Sequence, residues 1–351
     1  MRSIETFPTV FGRNLIGELR NFVPRPYLVV TMADLEPIFG PELGPDAQVY
    51  RVRSMEQERL EADLRQTEDV AAIVGLGGGQ ALDAAKFFAW RRRLPLFQVP
   101  TSLSVDAVFG HRAGVRDHGI VRYLGWAVPQ AVYVDYDVIQ GAPRAINRCG
   151  VGDVLCFYTG VLDWQYAVAR GRCEEKWPYD AALAEVSLAR VEAALAHQDD
   201  IRDMTDAGIR VLIEGHKWGG ASYHGAGWNP RHIEGIDHFF FYALEARTGR
   251  KFLHGQPVCL GTVIGTQLHE QRAEAFLSAV HRMGVDIRPE AMEVTWDEVA
   301  ETLFALRDFV RDQGLWYGIA HEAQIDRGFV ARLRSRIEGL YGAWPEGSDR
   351  P

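Results

Sequence analysis

An α/β domain built on a parallel sheet, followed by an all-α domain, is the architecture this sequence predicts. Between Phe7 and about Ala145 short apolar runs alternate with amphipathic segments, whereas after Arg144 strand-like runs nearly vanish and long helical patterns take over. A glycine cluster, Gly77–Gly79, stands between a run of strand character and a helical pattern. Strand, turn and helix in repeated succession imply right-handed parallel crossovers with helices on both sheet faces, an architecture of dinucleotide-binding style.

The expected strands are 27–31, 49–52, 71–75, 96–99 and 131–135, each a short apolar run of the kind buried on both faces. The expected helices of the second half include 179–196, 296–312 and 326–340, where apolar residues recur at helical spacing. The boundary falls near residue 147, giving a dinucleotide-binding domain over 1–147 and a helical metal-binding domain over 148–351. The polar stretch from Pro345 to Pro351 reads as a disordered tail.

Composition removes several function classes. The chain has 351 residues, 47% of them hydrophobic and 24% charged, enough for a sizeable core split between two domains. A formal charge of −9 argues against a nucleic-acid surface. The one tight basic cluster, Arg91–Arg93, follows a helical pattern and reads as a solvated helix end. No apolar run is long enough to span a bilayer. Cys149, Cys156, Cys173 and Cys259 form no CxxC pair and read as buried small hydrophobes. The first residues carry no apolar signal-peptide stretch, so a reducing cytoplasm is the expected location.

The glycine turn, Val74-Gly-Leu-Gly-Gly-Gly-Gln-Ala-Leu-Asp-Ala-Ala-Lys86, would bring backbone N–H groups of Gly77, Gly78 and Gly79 to a phosphate at a positive helix end. Alone it fits a tight turn equally well. It departs from the GxGxxG spacing, and Thr31-Met32-Ala33 supplies no acid at the end of its strand to hold an adenosine ribose, which leaves NAD and NADP both open.

Four further runs carry a resemblance. Gly77-Gly-Gly-Gln-Ala-Leu-Asp-Ala-Ala-Lys86, Val99-Pro-Thr-Ser-Leu-Ser-Val-Asp-Ala107, Gly150-Val-Gly-Asp-Val154 and Leu253-His-Gly255 occur in order. Together they resemble the superfamily of iron-type alcohol dehydrogenases, glycerol dehydrogenase, dehydroquinate synthase and glycerol-1-phosphate dehydrogenase. Pro100–Asp106, Cys149–Leu155 with Tyr158–Trp164, and Gly235–His238 before Ala243–Glu245 are most similar to the glycerol-1-phosphate dehydrogenase branch. The resemblance implies a Rossmann-like N-terminal domain, a helical C-terminal domain, and an active site with metal and cofactor in the cleft between them.

Position by position, the resemblance implies Asp153, His238 and His254 as ligands of one divalent metal. One carboxylate and two imidazoles leave open coordination positions, as a catalytic site requires. Phe157 stands where iron-type members carry another histidine, so a fourth protein ligand is expected to be absent. Zn²⁺ is the first expectation for the metal, with Ni²⁺ or Mn²⁺ as alternatives. Tyr242 replaces a second histidine of several relatives and is a candidate proton donor, or a phenol packed on the pocket wall. Asp106 falls where relatives contact substrate hydroxyls, although it also suits a cap. Thr101 and Ser102 are expected to face the cofactor, and Asp83 is a weaker cofactor contact. His111, Arg112, Arg116 and Lys217 are candidates for a substrate phosphate. His216, His224 and His232, in a Trp-, Gly- and His-rich stretch, match no motif, and the segment from Gly215 to Arg231 is unlike an ordinary member.

The expected activity is metal-dependent, NAD(P)-linked interconversion of a small polyol phosphate and its ketone, first of all sn-glycerol 1-phosphate and dihydroxyacetone phosphate. Self-association into a homo-oligomer is expected, with no nucleic-acid partner. The alternatives are a dehydroquinate-synthase-like cyclase, a dehydrogenase of another small polyol, and a non-catalytic binding relative.

Overall fold

The computed structural model describes residues 8–118 and 120–344. The tail from Pro345 to Pro351, expected to be disordered, lies outside them. The chain divides into two compact units: residues up to Pro143 together with His216–Gly227, and Arg144–Gly215 together with residues from Trp228 onward.

In the first unit, β1 (Thr9–Gly12), α1 (Leu15–Phe22), β2 (Tyr27–Thr31), α2 (Glu36–Phe39), β3 (Ala47–Arg51), α3 (Gln57–Leu64), β4 (Ala72–Gly77), α4 (Gly79–Arg92) and β5 (Leu96–Pro100) follow in sequence. An antiparallel hairpin, β6 (Ala113–Asp117) and β7 (Ile120–Leu124), precedes β8 (Ala131–Asp135) and α5 (Tyr136–Gly141). Six strands form one parallel sheet in the order β1-β8-β5-β4-β2-β3. Alternation along the strands sends side chains to opposite faces. Tyr27, Val29, Val74 and Val99 join Leu15, Ile16 and Leu19 of α1 in one core, while Leu28, Val30, Ile73 and Leu96 join Leu60 of α3 and Phe87 and Phe88 of α4 in another. Helices therefore cover both faces, and β2, β4, β5 and β8 are buried along their whole length.

The second unit is helical: α6 (Arg144–Cys149), α7 (Gly152–Ala169), α8 (Ala181–Ala196), α9 (Gln198–Asp203), the start of α10 (Asp206–Gly225), α11 (Ile236–Thr248), α12 (Gly255–Leu268), α13 (Ala273–Arg282), α14 (Trp296–Asp312) and α15 (Arg327–Tyr341). Caps fix several ends. Asp180 accepts from the N–H groups of Ala182 and Leu183, Asp326 from Phe329, and Thr295 with Glu298 forms a capping box.

Three readings need correction. Arg91–Arg93 is more than a solvated helix end: Arg91 pairs with Glu61, and Arg92 donates to the carbonyls of Leu64, Thr67 and Glu68. It ties the end of α3 and the turn after it to α4. Cys149, Cys156 and Cys259 are buried, but Cys173 is only half-buried, its thiol donating to the Trp177 carbonyl at 3.2 Å. Residues 216–227, placed with the helical half by the sequence pattern, group with the first unit. No helix among the described residues is long and apolar enough to cross a membrane.

Candidate metal centre and cofactor-binding turn

The sheet order sets up the glycine turn. From β2 the chain steps outward to β3 and then back past β2 to β4, so the connections leaving β2 and β4 run in opposite directions. The carboxyl ends of two such strands frame the crevice where nucleotides bind in open α/β sheets. Gly77 ends β4 with a φ of 155°, and a Cβ there would stand 2.7 Å from Ala81 Cβ. Glycine is thus required for the chain to turn from β4 into α4. Gly78 is the N-cap and Gly79 the first residue of that helix, whose early N–H groups have no intrahelical acceptor. Thr101 follows β5, buried, and its N–H donates to the Gly77 carbonyl at 3.0 Å. Ser102 Oγ lies 3.4 Å from where a Cβ on Gly78 would be. The two loops are therefore side by side.

Asp83 is turned away from this turn. Its carboxylate pairs with Lys86 Nζ at 2.6 Å, and Lys86, fully buried, also donates to the carbonyls of Ala107 (2.8 Å) and Arg112 (2.9 Å). Burial raises the Asp83 pKa, opposed by Lys86 and the Gly114 backbone. The pair pins the loop that carries Asp106, the first residue of a 3-10 turn ending at Val108. His111 is buried and stacks on His224 at 4.8 Å, with Trp126 edge-on to His224. Burial, with Lys86 adding to it, pushes His111 down to about 4, and burial with His111 pushes His224 to about 3. Arg116 donates its backbone N–H to Met55 from within β6, and Lys217 lies half-buried on α10.

In the second unit three helix N-termini meet. Asp153 is the second residue of α7, His238 the third of α11, and His254 the N-cap of α12. A Cβ on Gly255 would stand 1.7 Å from the Cys149 carbonyl oxygen, so only glycine lets α12 begin against the end of α6. One ligand atom from each of Asp153, His238 and His254 lies within 4.8 Å of the others, and His254 Nε2 is 2.9 Å from Asp153 Oδ1. A carboxylate and two imidazoles at such spacing suit a divalent cation of borderline softness.

Two residues beside the trio were not singled out from the sequence. Asp237 Oδ1 lies 2.6 Å from His238 Nδ1 and accepts the His238 N–H at 2.8 Å, while Thr159 Oγ1 donates to its other oxygen at 2.6 Å. His238 is thereby oriented with Nε2 as its outward nitrogen. Glu234 Oε2 is 3.9 Å from that Nε2 and accepts from the Tyr242 hydroxyl at 3.3 Å. Burial opposes protonation of His238, but the Asp237 hydrogen bond and the carboxylates of Glu234, Asp237 and Asp153 outweigh it and hold the group up at about 9. Cys156, Asp237 and His238 also come within 4.8 Å. Because the Cys156 thiol donates to the Ile233 carbonyl at 3.1 Å, we describe that group as a hydrogen-bonded cluster.

Below this layer, Asp163 anchors α11. Fully buried, it accepts from the N–H groups of Ile236 (2.7 Å) and Ile319 (2.8 Å) and lies 3.0 Å from His269 Nε2. Arg231, also fully buried, donates to the carbonyls of Tyr317 (2.6 Å) and Asp163 (3.4 Å) and fixes the segment leading into α11.

Comparison with known proteins agrees with this layout. A family model described as iron-containing alcohol dehydrogenase matches residues 42–143. The chain is 32% identical to a protein of Aeropyrum pernix named glycerol-1-phosphate dehydrogenase (NAD(P)+), over 75% of this chain and 72% of that one. A protein of the same name from Sulfurisphaera tokodaii is 27% identical over 91% of this chain and 95% of its own. Among solved structures, a probable glycerol dehydrogenase from Sinorhizobium meliloti superposes with a TM-score of 0.69 at 18% identity, covering 97% of this chain and 98% of that one. That likeness establishes the fold.

Proposed function

Because this chain belongs to the glycerol-1-phosphate dehydrogenase family within the iron-type alcohol dehydrogenases, we propose that it interconverts a small polyol phosphate and its ketone with NAD or NADP. sn-Glycerol 1-phosphate and dihydroxyacetone phosphate are the proposed pair. The convergence of Asp153, His238 and His254 on three helix N-termini carries the reading. When bound, a divalent cation supplies Lewis-acid polarisation of the substrate oxygen, and the nicotinamide exchanges hydride with the carbon bearing it.

The remaining work falls to the chain's own residues. Asp153, His238 and His254 would hold the cation, with Zn²⁺ first in preference on donor chemistry. Asp237 fixes the ring of His238 and leaves Nε2 for the cation. The N–H groups at Gly78 and Gly79 would receive the cofactor's pyrophosphate, beside Thr101 and Ser102. Asp106, on the loop braced by Lys86, would accept a hydrogen bond from a substrate hydroxyl and orient it. Tyr242 already donates to Glu234, which makes it an orienting group for that carboxylate. The partly positive N-termini of α7, α11 and α12 favour an anionic substrate over a neutral one.

The test is oxidation of NADH and of NADPH at 340 nm by Zn²⁺-reconstituted protein, offered dihydroxyacetone phosphate or unphosphorylated dihydroxyacetone. Preference for the phosphorylated ketone by tenfold or more in kcat/KM is expected. Equal rates with both ketones, or none with either, would overturn the substrate assignment.

A further inference from the structure

We propose that Glu234 is a fourth protein ligand, so that the centre consists of two carboxylates and two imidazoles with a fifth position kept for the substrate oxygen, instead of the three-ligand set expected from the sequence. The inference rests on the reading that Asp153, His238 and His254 hold a cation. With Nδ1 of His238 committed to Asp237 at 2.6 Å, Nε2 is the nitrogen that faces the cation. Glu234 Oε2 stands 3.9 Å from that same nitrogen. Ligand atoms roughly 2.0–2.1 Å from one cation lie about 3–3.5 Å apart. Glu234 stands outside the group of ligand atoms within 4.8 Å of one another, so its carboxylate has to swing from His238 towards Asp153 and His254 to complete the set.

One contact orients the carboxylate and another fixes the backbone beneath it. The Tyr242 hydroxyl donates to Oε2, and the Glu234 N–H donates to the Pro230 carbonyl at 3.0 Å. The backbone of Glu234 also presses on α7, where a Cβ on Gly160 would stand 2.8 Å from the Glu234 nitrogen. The backbone of residue 234 therefore cannot move towards α7. Its side chain is only 22% exposed, so solvent does not compensate the charge fully. A dication between Asp153 and Glu234 would be neutralised by the protein, and Tyr242 is the positioning residue that aims the second carboxylate.

Metal-stripped protein titrated with Zn²⁺ against a chromophoric chelator, with Co²⁺ as a visible-band probe, tests this without reference to turnover. Glu234→Gln is expected to weaken Zn²⁺ binding by about 100-fold or more and to shift the Co²⁺ bands, a larger effect than the roughly 10–100-fold typical of groups that only support a ligand. Tyr242→Phe should weaken binding by about tenfold, at the lower end of that range, and leave the Co²⁺ bands in place. Binding by Glu234→Gln within threefold of the parent, while Asp153→Asn is impaired, would overturn the fourth ligand and leave the trio standing. Unchanged binding in both variants would overturn the cation site itself. If Glu234→Gln does not fold, Glu234→Asp decides: it keeps the charge but shortens the reach, and unchanged affinity and bands there would equally refute a direct ligand.

Discussion

Replacing Asp163 with asparagine should cost about 2–4 kcal/mol of stability, although the two side chains have the same shape. One carboxylate oxygen of Asp163 accepts the Ile236 N–H at 2.7 Å, and the other meets the Ile319 N–H at 2.8 Å and His269 Nε2 at 3.0 Å. An amide has one acceptor oxygen, so either orientation turns an NH₂ group onto a backbone N–H. The space is closed, since Cβ atoms on Gly235 and Gly318 would both lie 2.6 Å from the carboxylate group. Water therefore cannot repair the mismatch, and a buried donor left unsatisfied costs about 1–3 kcal/mol in addition to the charge-assisted bond lost. For a unit of this size each kcal/mol corresponds to about 2–4 °C in Tm, so thermal unfolding followed by circular dichroism should shift down by about 4–16 °C. Because the Ile236 N–H opens the helix that presents His238, Zn²⁺ affinity should fall as well. A Tm within about 1 °C of the parent would refute the claim that this carboxylate holds α11 in place.

Three further outcomes follow from the geometry. Gly77→Val, which places a branched side chain at a φ of 155° and 2.7 Å from Ala81 Cβ, should weaken NADH binding measured by fluorescence titration by more than tenfold while leaving Zn²⁺ stoichiometry intact; undiminished cofactor binding would displace the nucleotide from this turn. His111 is held near 4 in the folded protein against 6.5 when exposed, so the unfolded chain takes up the proton first and stability is lost as pH falls from about 6.5 towards 4. That one group accounts for about 3 kcal/mol across the window, and urea unfolding of His111→Gln between pH 7 and 5 should show a shallower acid loss than the parent. Asp106→Asn should lower turnover by about 100-fold without lowering metal content by elemental analysis; an equal loss of both would make Asp106 structural.

Where the sequence was legible, burial on both faces was the reason. β2, β4, β5 and β8 are central strands with every residue buried, and such strands read as unbroken apolar runs. β1 is four residues of mixed exposure at the sheet edge and leaves no comparable trace. The short β6–β7 hairpin, which stands outside the six-stranded sheet, was also passed over. In the site, Asp153, His238 and His254 were found through local motifs, and they do come together. Asp163 and Asp237 lie within the runs Tyr158–Trp164 and Gly235–His238, but no motif assigned them a role, and Glu234 belongs to none; their roles emerge only when α7 and α11 are packed and Nδ1 and Nε2 of His238 become distinguishable. Asp83, a weaker cofactor contact in the sequence, pairs with a buried lysine one turn later, a partner that becomes evident only once α4 is packed.

One cation held by Asp153, His238 and His254 is proposed to make this protein a dehydrogenase. That role is tested most directly by measuring dihydroxyacetone-phosphate-dependent NAD(P)H oxidation in metal-stripped protein as Zn²⁺ is added in fractions of an equivalent, with His254→Ala in parallel. Activity is expected to climb in proportion to bound Zn²⁺, to level off at one equivalent per chain, and to stay absent in the folded His254→Ala variant. Full turnover by the stripped protein, or by His254→Ala, would contradict it.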